Sequence, residues 1–235
     1  MNAYEPEELL DRKKVEEFRK KILKWGRQNL LDYPWRRTRD PYRVLIAEML
    51  LHRTRSEQVI PLYLKFIKRF PSVEDLSRAD YEEVQELLRS AGLRWRIRQI
   101  RRMAQVVVEK HGRRIPEDYE LLRSLPGVSD YIASAVRCFA FGEPEPVLDT
   151  NTVRIVGRGF GLKTSNSSRR SKKFRKVMET ILDRNEPRLF NYSLIDFGKL
   201  VCRARNPLCE KCPVTNICEH FSKNSWKEGP PEGRT

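Results

Sequence analysis

The chain has 235 residues, room for one large domain or two modest ones. Hydrophobic residues at 39% suffice for a core beneath a surface enriched by 34% charged residues, and no apolar run approaches the roughly 20 residues of a membrane span. Lys and Arg total 47 against 32 Asp and Glu, a net charge of +15 that points to a polyanionic partner, most often nucleic acid, rather than to a merely solvated cationic surface.

The N-terminus, MNAYEPEELLDRKK, is acidic and polar and lacks the apolar core of a signal peptide. The expected location is therefore cytoplasmic, where thiols stay reduced. Asp40 as N-cap and Pro41 at the first helical position predict a helix through RDPYRVLIAEMLLHR, with Tyr42, Leu45, Ile46, Met49 and Leu50 at helical spacing. Val59, Tyr63, Phe66, Ile67 and Phe70 mark a second helix. Val84, Leu87 and Leu88 mark a third, stopped by Gly92, and Ile97, Ile100, Ala104, Val107 and Val108 a fourth, stopped by Gly112. PEDYELLRSL and YIASAVRCFAFG form a helix pair joined by PGVSD. The proline-rich GEPEPVLD, residues 142–149, then crosses between two helical blocks. Helices are predicted over 152–160, 171–182 and 187–201, with a polar basic loop, KTSNSSRRSKK, at 163–173. No period-two strand is visible, so the fold class is all-α, built of short helices and short turns. The tail after His220 reads as disordered.

Three stretches carry chemistry. VCRARNPLCEKCPVTNIC holds Cys202, Cys209, Cys212 and Cys218 at C-x6-C-x2-C-x5-C spacing. Four thiolates in one loop can wrap a tetrahedral ion or a cubane cluster. Structural zinc sites more often use two separated C-x2-C knuckles, and here there is one, so spacing leaves a cluster, zinc and a disulfide fold open. Cys138, on an apolar helix face, reads as a small buried hydrophobe. LPGV ends one helix and starts another, and its backbone N–H groups at Leu125, Gly127, Val128 and Ser129 offer a phosphate site. The plainer reading is an ordinary helix–turn–helix packing pair. Asp149, in VLDTNTVRI, reads as an N-cap or as a functional carboxylate.

In this order and at these separations, the three stretches resemble the helix-hairpin-helix DNA glycosylases of the endonuclease III superfamily, over about residues 20–220. The resemblance implies two helical domains with a DNA-binding cleft between them. One is discontinuous, 1–40 with 145–222, and carries Asp149 and the cysteine loop. The other, 41–144, ends in the hairpin, and 223–235 is a disordered tail. It implies one [4Fe-4S] cluster on the four cysteines, with Arg203, Arg205 and Lys211 facing phosphates. It implies a monomer, nucleoid-associated, acting on double-stranded DNA that contains a mispaired or damaged base.

Bifunctional members carry a lysine at the start of the helix after the hairpin, which forms a Schiff base with the sugar. This chain has Tyr131 there, and a phenol cannot form an imine. Tyrosine resembles the archaeal mismatch thymine glycosylases, which act on T or U opposite G. Glu48 in AEML matches a base-pocket glutamate of the thymine- and adenine-mismatch branches, the alternative being a solvent-facing carboxylate. His52 or Arg53 matches the side chain inserted into the vacated stack. The hairpin departs from the family: Ser129 replaces a second glycine, and Asp130 a basic or neutral residue. The implied reaction is monofunctional N-glycosylase chemistry leaving an abasic site. Asp149 would stabilise an oxocarbenium-like sugar, Glu48 would contact the base, and Tyr131 would shape the pocket. The rivals are a MutY-type adenine glycosylase, which usually has a second C-terminal domain where this chain has 17 residues after Cys218, a bifunctional pyrimidine-lesion lyase, and a non-catalytic DNA-binding module.

Overall fold

The computed structural model describes residues 10–52, 54–89, 94–165 and 167–224. They form helices α1 (Arg12–Asn29), α2 (Pro41–Leu51), α3 (Ser56–Arg69), α4 (Val73–Arg78), α5 (Tyr81–Leu88), α6 (Arg94–Lys110), α7 (Tyr119–Ser124), α8 (Asp130–Val136), α9 (Thr150–Phe160), α10 (Lys172–Ile181), α11 (Pro187–Leu200) and α12 (Glu219–Asn224). No strand occurs among the described residues. The all-α expectation holds. The Gly92 stop and the tail from 225 lie outside the described residues, while residues 221–224, expected to be disordered, are the end of helix α12.

The chain divides into a first unit, Met1–Leu31 with Pro144–Thr235, and a second, Asp32–Glu143. The division falls at 31/32 for a packing reason. Trp35 is 3% exposed, stacks on Tyr33 at 4.9 Å, and meets Tyr63 of α3 edge-on at 5.6 Å. That aromatic trio ties residues 33–35 to α2 and α3. Helix α2 starts as its sequence predicts: Asp40 Oδ1 accepts from the N–H groups of Tyr42 and Arg43 at 2.8 and 3.2 Å, and Pro41 occupies the first helical position.

The first unit is organised around α1 and α11. Helix α1 is rich in Lys and Arg, and only Val15, Phe18, Ile22 and Leu23 at helical spacing reveal its buried stripe. Phe18 packs edge-on against Phe160 and Phe190, and Trp25 against Phe197. The proline-rich crossing makes no helix and takes its hydrogen bonds from α11. Asn191, buried, accepts from Val147 N–H at 3.0 Å and donates to the carbonyls of Glu145 and Pro187 at 3.0 and 2.9 Å. The crossing is thereby fixed just ahead of Asp149.

An Asn191→Ala variant loses all three bonds and strands the buried Val147 N–H and the part-buried Glu145 C=O of the crossing. We expect it to cost about 3 kcal/mol in urea denaturation.

Candidate active site

Asp149 is the N-cap of α9 and is partly buried. Its Oδ1 accepts from Thr152 N–H at 2.7 Å and its Oδ2 from Asn151 Nδ2 at 2.9 Å. Burial pushes the carboxyl above its ordinary range, and these hydrogen bonds offset part of that rise. The N-cap reading of this residue therefore holds, and the cap leaves the carboxyl partly buried.

Asn151 is itself held. Its Oδ1 accepts from Arg154 Nη2 at 2.8 Å, and the same guanidinium donates to Gly198 C=O at 2.8 Å and to Cys202 C=O at 2.9 Å. Gly198 makes this approach possible, because a Cβ there would lie 2.5 Å from Asn151 Cβ and 3.1 Å from Arg154 Nη2. A chain of hydrogen bonds thus runs from the cysteine loop to the carboxylate. Sequence reasoning missed it, since Arg154 bonds to carbonyls some 45 residues away in the chain.

Cys202, Cys209, Cys212 and Cys218 line one pocket with Arg158, His220 and apolar neighbours that include Ile155 and Phe197. Arg158 donates to the carbonyls of Arg203 and Ala204 at 2.7 and 3.0 Å and lies 3.5 Å from Cys202 Sγ. The four thiols are half-buried and line this same pocket. Burial, then mutual repulsion between the sulfurs, pushes Cys209 up, and Cys212 to about 11. Such a set ionises together only around compensating positive charge, which a bound metal ion or an iron–sulfur cluster would supply. Arg203, Arg205 and Lys211 project from this loop, exposed.

In the second unit the hairpin links α7 to α8. Gly127 is exposed with φ +80°, a conformation that favours glycine, and a Cβ there would strike Gln99 Cβ at 2.8 Å and Met49 Cε at 2.9 Å. Leu125 and Val128 bury their side chains, and their N–H groups donate to Leu122 and Leu125 C=O at 3.1 Å each, which overturns the expectation that these two N–H groups meet a phosphate. Ser129 needs no glycine-like backbone: it caps α8, accepting from Ile132 N–H at 3.3 Å. Asp130 is not a bare charge, because Arg123 Nε donates to it at 2.5 Å and Tyr119 OH at 3.1 Å.

Glu48 is 3% exposed on α2, which overturns the solvent-facing alternative. Tyr131 is half-buried in the first turn of α8. His52 is the C-cap of α2 and lines a pocket with Gln99, Gly127 and Ser129. Arg96, buried and unforeseen, donates to Met49 and Leu50 C=O at 3.2 and 3.0 Å, closing the end of α2 from which His52 projects. Arg53 lies outside the described residues.

The family described as "HhH-GPD superfamily base excision DNA repair protein" matches residues 46–180, and the "Iron-sulfur binding domain of endonuclease III" matches residues 202–218. The chain is 36% identical over 221 residues to a thymine-DNA glycosylase of Aeropyrum pernix, covering 92% of this chain and 99% of that one. It is 36% identical over 214 residues to a thymine/uracil-DNA glycosylase of Methanothermobacter thermautotrophicus, covering 91% and 97%. A solved structure of a thermostable thymine-DNA glycosylase superposes with a TM-score of 0.86 at 35% identity, covering 90% of this chain and 98% of that one.

The raised carboxyl of Asp149 makes a stability prediction. A folded-state value above the unfolded one means the carboxylate opposes folding once it is ionised, so its cost is absent below the unfolded value and grows as pH rises through the folded one. Asparagine caps helices as well as aspartate and carries no charge. We expect Asp149→Asn to melt at or a few degrees above the parent at pH 8, with the difference shrinking toward pH 4. A variant melting several degrees lower at pH 8 would contradict this.

Proposed function

The chain belongs to the HhH-GPD superfamily of base excision DNA repair proteins, and we propose that it is a monofunctional DNA glycosylase that removes thymine or uracil mispaired with guanine. The observation that carries the reading is the partly buried Asp149 carboxylate, held by Thr152 N–H and Asn151.

A mispaired base is cheaper to extrude than a paired one by a few kcal/mol, so the mismatch itself supplies part of the selectivity. Breaking the C1′–N bond develops positive charge on the sugar. A fixed carboxylate away from bulk water stabilises that charge without having to reorganise, and this is the role proposed for Asp149. Glu48, buried on α2, is assigned to hydrogen-bond the base or help the departing pyrimidine accept a proton. Tyr131 stands where a lyase would need an amine, so the sugar is left as an abasic site and the strand stays intact. His52 projects from an α2 terminus fixed by Arg96 and is the described candidate to fill the vacated stack.

The N–H groups of Gly127 and Ser129, with Arg203, Arg205 and Lys211, are assigned to phosphates. Cys202, Cys209, Cys212 and Cys218 would hold one [4Fe-4S] cluster, which supplies a fourfold cross-link of the 202–218 loop. The protein's own part is to keep that loop's backbone against Arg154 and Arg158. The substrate class fits a chemical need: deamination turns cytosine into uracil and 5-methylcytosine into thymine, each opposite guanine.

Labelled duplexes carrying G·T, G·U, A·8-oxoguanine or thymine glycol, incubated with and without alkali, test the reading. Excision is expected from G·T and G·U, with strand breaks only after alkali. Breaks before alkali, or excision confined to the other two duplexes, would refute it. Asp149→Asn should lower the single-turnover rate by at least about 100-fold. The parent's rate should rise with pH along an acid limb whose midpoint lies above the ordinary carboxylate value. Elemental analysis should find about four iron and four sulfide per chain.

A further inference from the structure

The first unit carries a second cationic surface, apart from the cysteine loop. Between Asp149 and Glu179 the sequence contains no acidic residue. Of its cations, Arg154 and Arg158 are turned onto loop carbonyls, and Arg175 pairs with Glu145 and Glu179. The remaining six, Lys163, Arg169, Arg170, Lys172, Lys173 and Lys176, are exposed, and none takes an acidic partner among the described residues. Elsewhere cations are often neutralised in place, as in Arg37–Asp32, Arg69–Glu83, Arg89–Glu86 and Arg123–Asp130.

The scaffold under these side chains is ordered by its serines. Ser168 is buried and its Oγ accepts Ser165 N–H at 2.9 Å, the hydroxyls of Ser165 and Ser167 lie 2.7 Å apart, and Ser171 Oγ caps α10 by accepting Phe174 N–H at 3.4 Å. Phe174 points inward, so the face offers cations and small hydroxyls with no exposed apolar anchor. A protein interface draws most of its energy from buried aromatic or aliphatic anchors. A phosphate backbone needs only cations, hydroxyls and N–H groups.

We propose that the surface formed by Lys163, Arg169, Arg170, Lys172, Lys173 and Lys176 binds the DNA phosphate backbone, adding sequence-independent contacts to those of the hairpin and the cysteine loop. The proposal rests on the glycosylase reading for its choice of partner. Every cation it neutralises releases a condensed counterion, so its signature is salt dependence.

The test compares the full holoprotein with Arg169→Gln/Arg170→Gln/Lys172→Gln/Lys173→Gln. A control, Arg12→Gln/Lys13→Gln/Lys20→Gln/Lys24→Gln, removes the same charge from exposed positions on α1. Binding to a fully paired duplex and to the same duplex with one G·T mispair is measured from about 50 to 400 mM salt. We expect the slope of log K against log salt to fall in magnitude by about two or more in the first variant, with affinity at 0.1 M salt reduced at least about tenfold. The loss should be equal on both duplexes, because phosphate contacts carry no sequence information. The control should keep the parental slope, and melting temperatures should show all three proteins folded. A parental slope in the first variant overturns the proposal and leaves the face to an acidic protein. Equal losses in both variants overturn it too, as an effect of net charge alone. Slopes on paired DNA do not depend on excision, so failure of the glycosylase reading would appear separately, as a parent that releases no base.

Discussion

A carboxylate carried into a partly buried position needs local compensation, and for Asp149 the N-terminus of α9 provides it. Thr152 N–H and the Asn151 amide take one oxygen each, and the positive end of the helix dipole faces the charge. The compensation is incomplete, since the carboxyl still sits above its ordinary range. That residual cost is the kind of strain expected where a fold places a charge for chemistry rather than for stability. Much of the first unit can be understood as what holds this group. Asn191 pins the crossing on one side of it, and Arg154 holds Asn151 on the other.

The second consequence concerns the cysteine loop. Arg154 and Arg158 donate to the carbonyls of Cys202, Arg203 and Ala204, and Arg154 also holds the amide that contacts Asp149. The loop backbone is therefore a support for the carboxylate's orientation as well as a cysteine holder. Collapse of the loop would remove acceptors from two arginines whose chains run through α9. Gly198 belongs to the same argument, because any larger residue would push Asn151 and Arg154 off their partners.

What the sequence made legible were features whose cause is local. Asp40 and Pro41 start α2, Asp149 starts α9, and the cysteine spacing and LPGV announce a loop and a hairpin. What it concealed depends on residues distant along the chain. Helix α1 hid its stripe among lysines and arginines. Trp35 drew residues 32–40 into the second unit, and Arg96 closes α2 from a helix that begins more than forty residues later. The two departures in the hairpin become intelligible in the same terms. Ser129 replaces a glycine at a position with φ −88°, where no glycine is required, and gains a cap. Asp130 is answered by Arg123 from the preceding helix, which also reaches Val128 C=O, so the acid is paired and ties the hairpin to α7.

Net charge states that a polyanion is favoured but not where it sits. The more informative quantity is which cations lack an internal partner, since a paired guanidinium must break its ion pair before it can neutralise a phosphate, and an exposed pair is worth at most about 1 kcal/mol either way. By that criterion the cysteine loop's Arg203, Arg205 and Lys211 and the six cations of 163–176 qualify, both groups lying in the unit that carries Asp149, and so do Arg12, Lys13, Lys20 and Lys24 on α1, so the criterion nominates surfaces and the salt slopes of their variants choose among them.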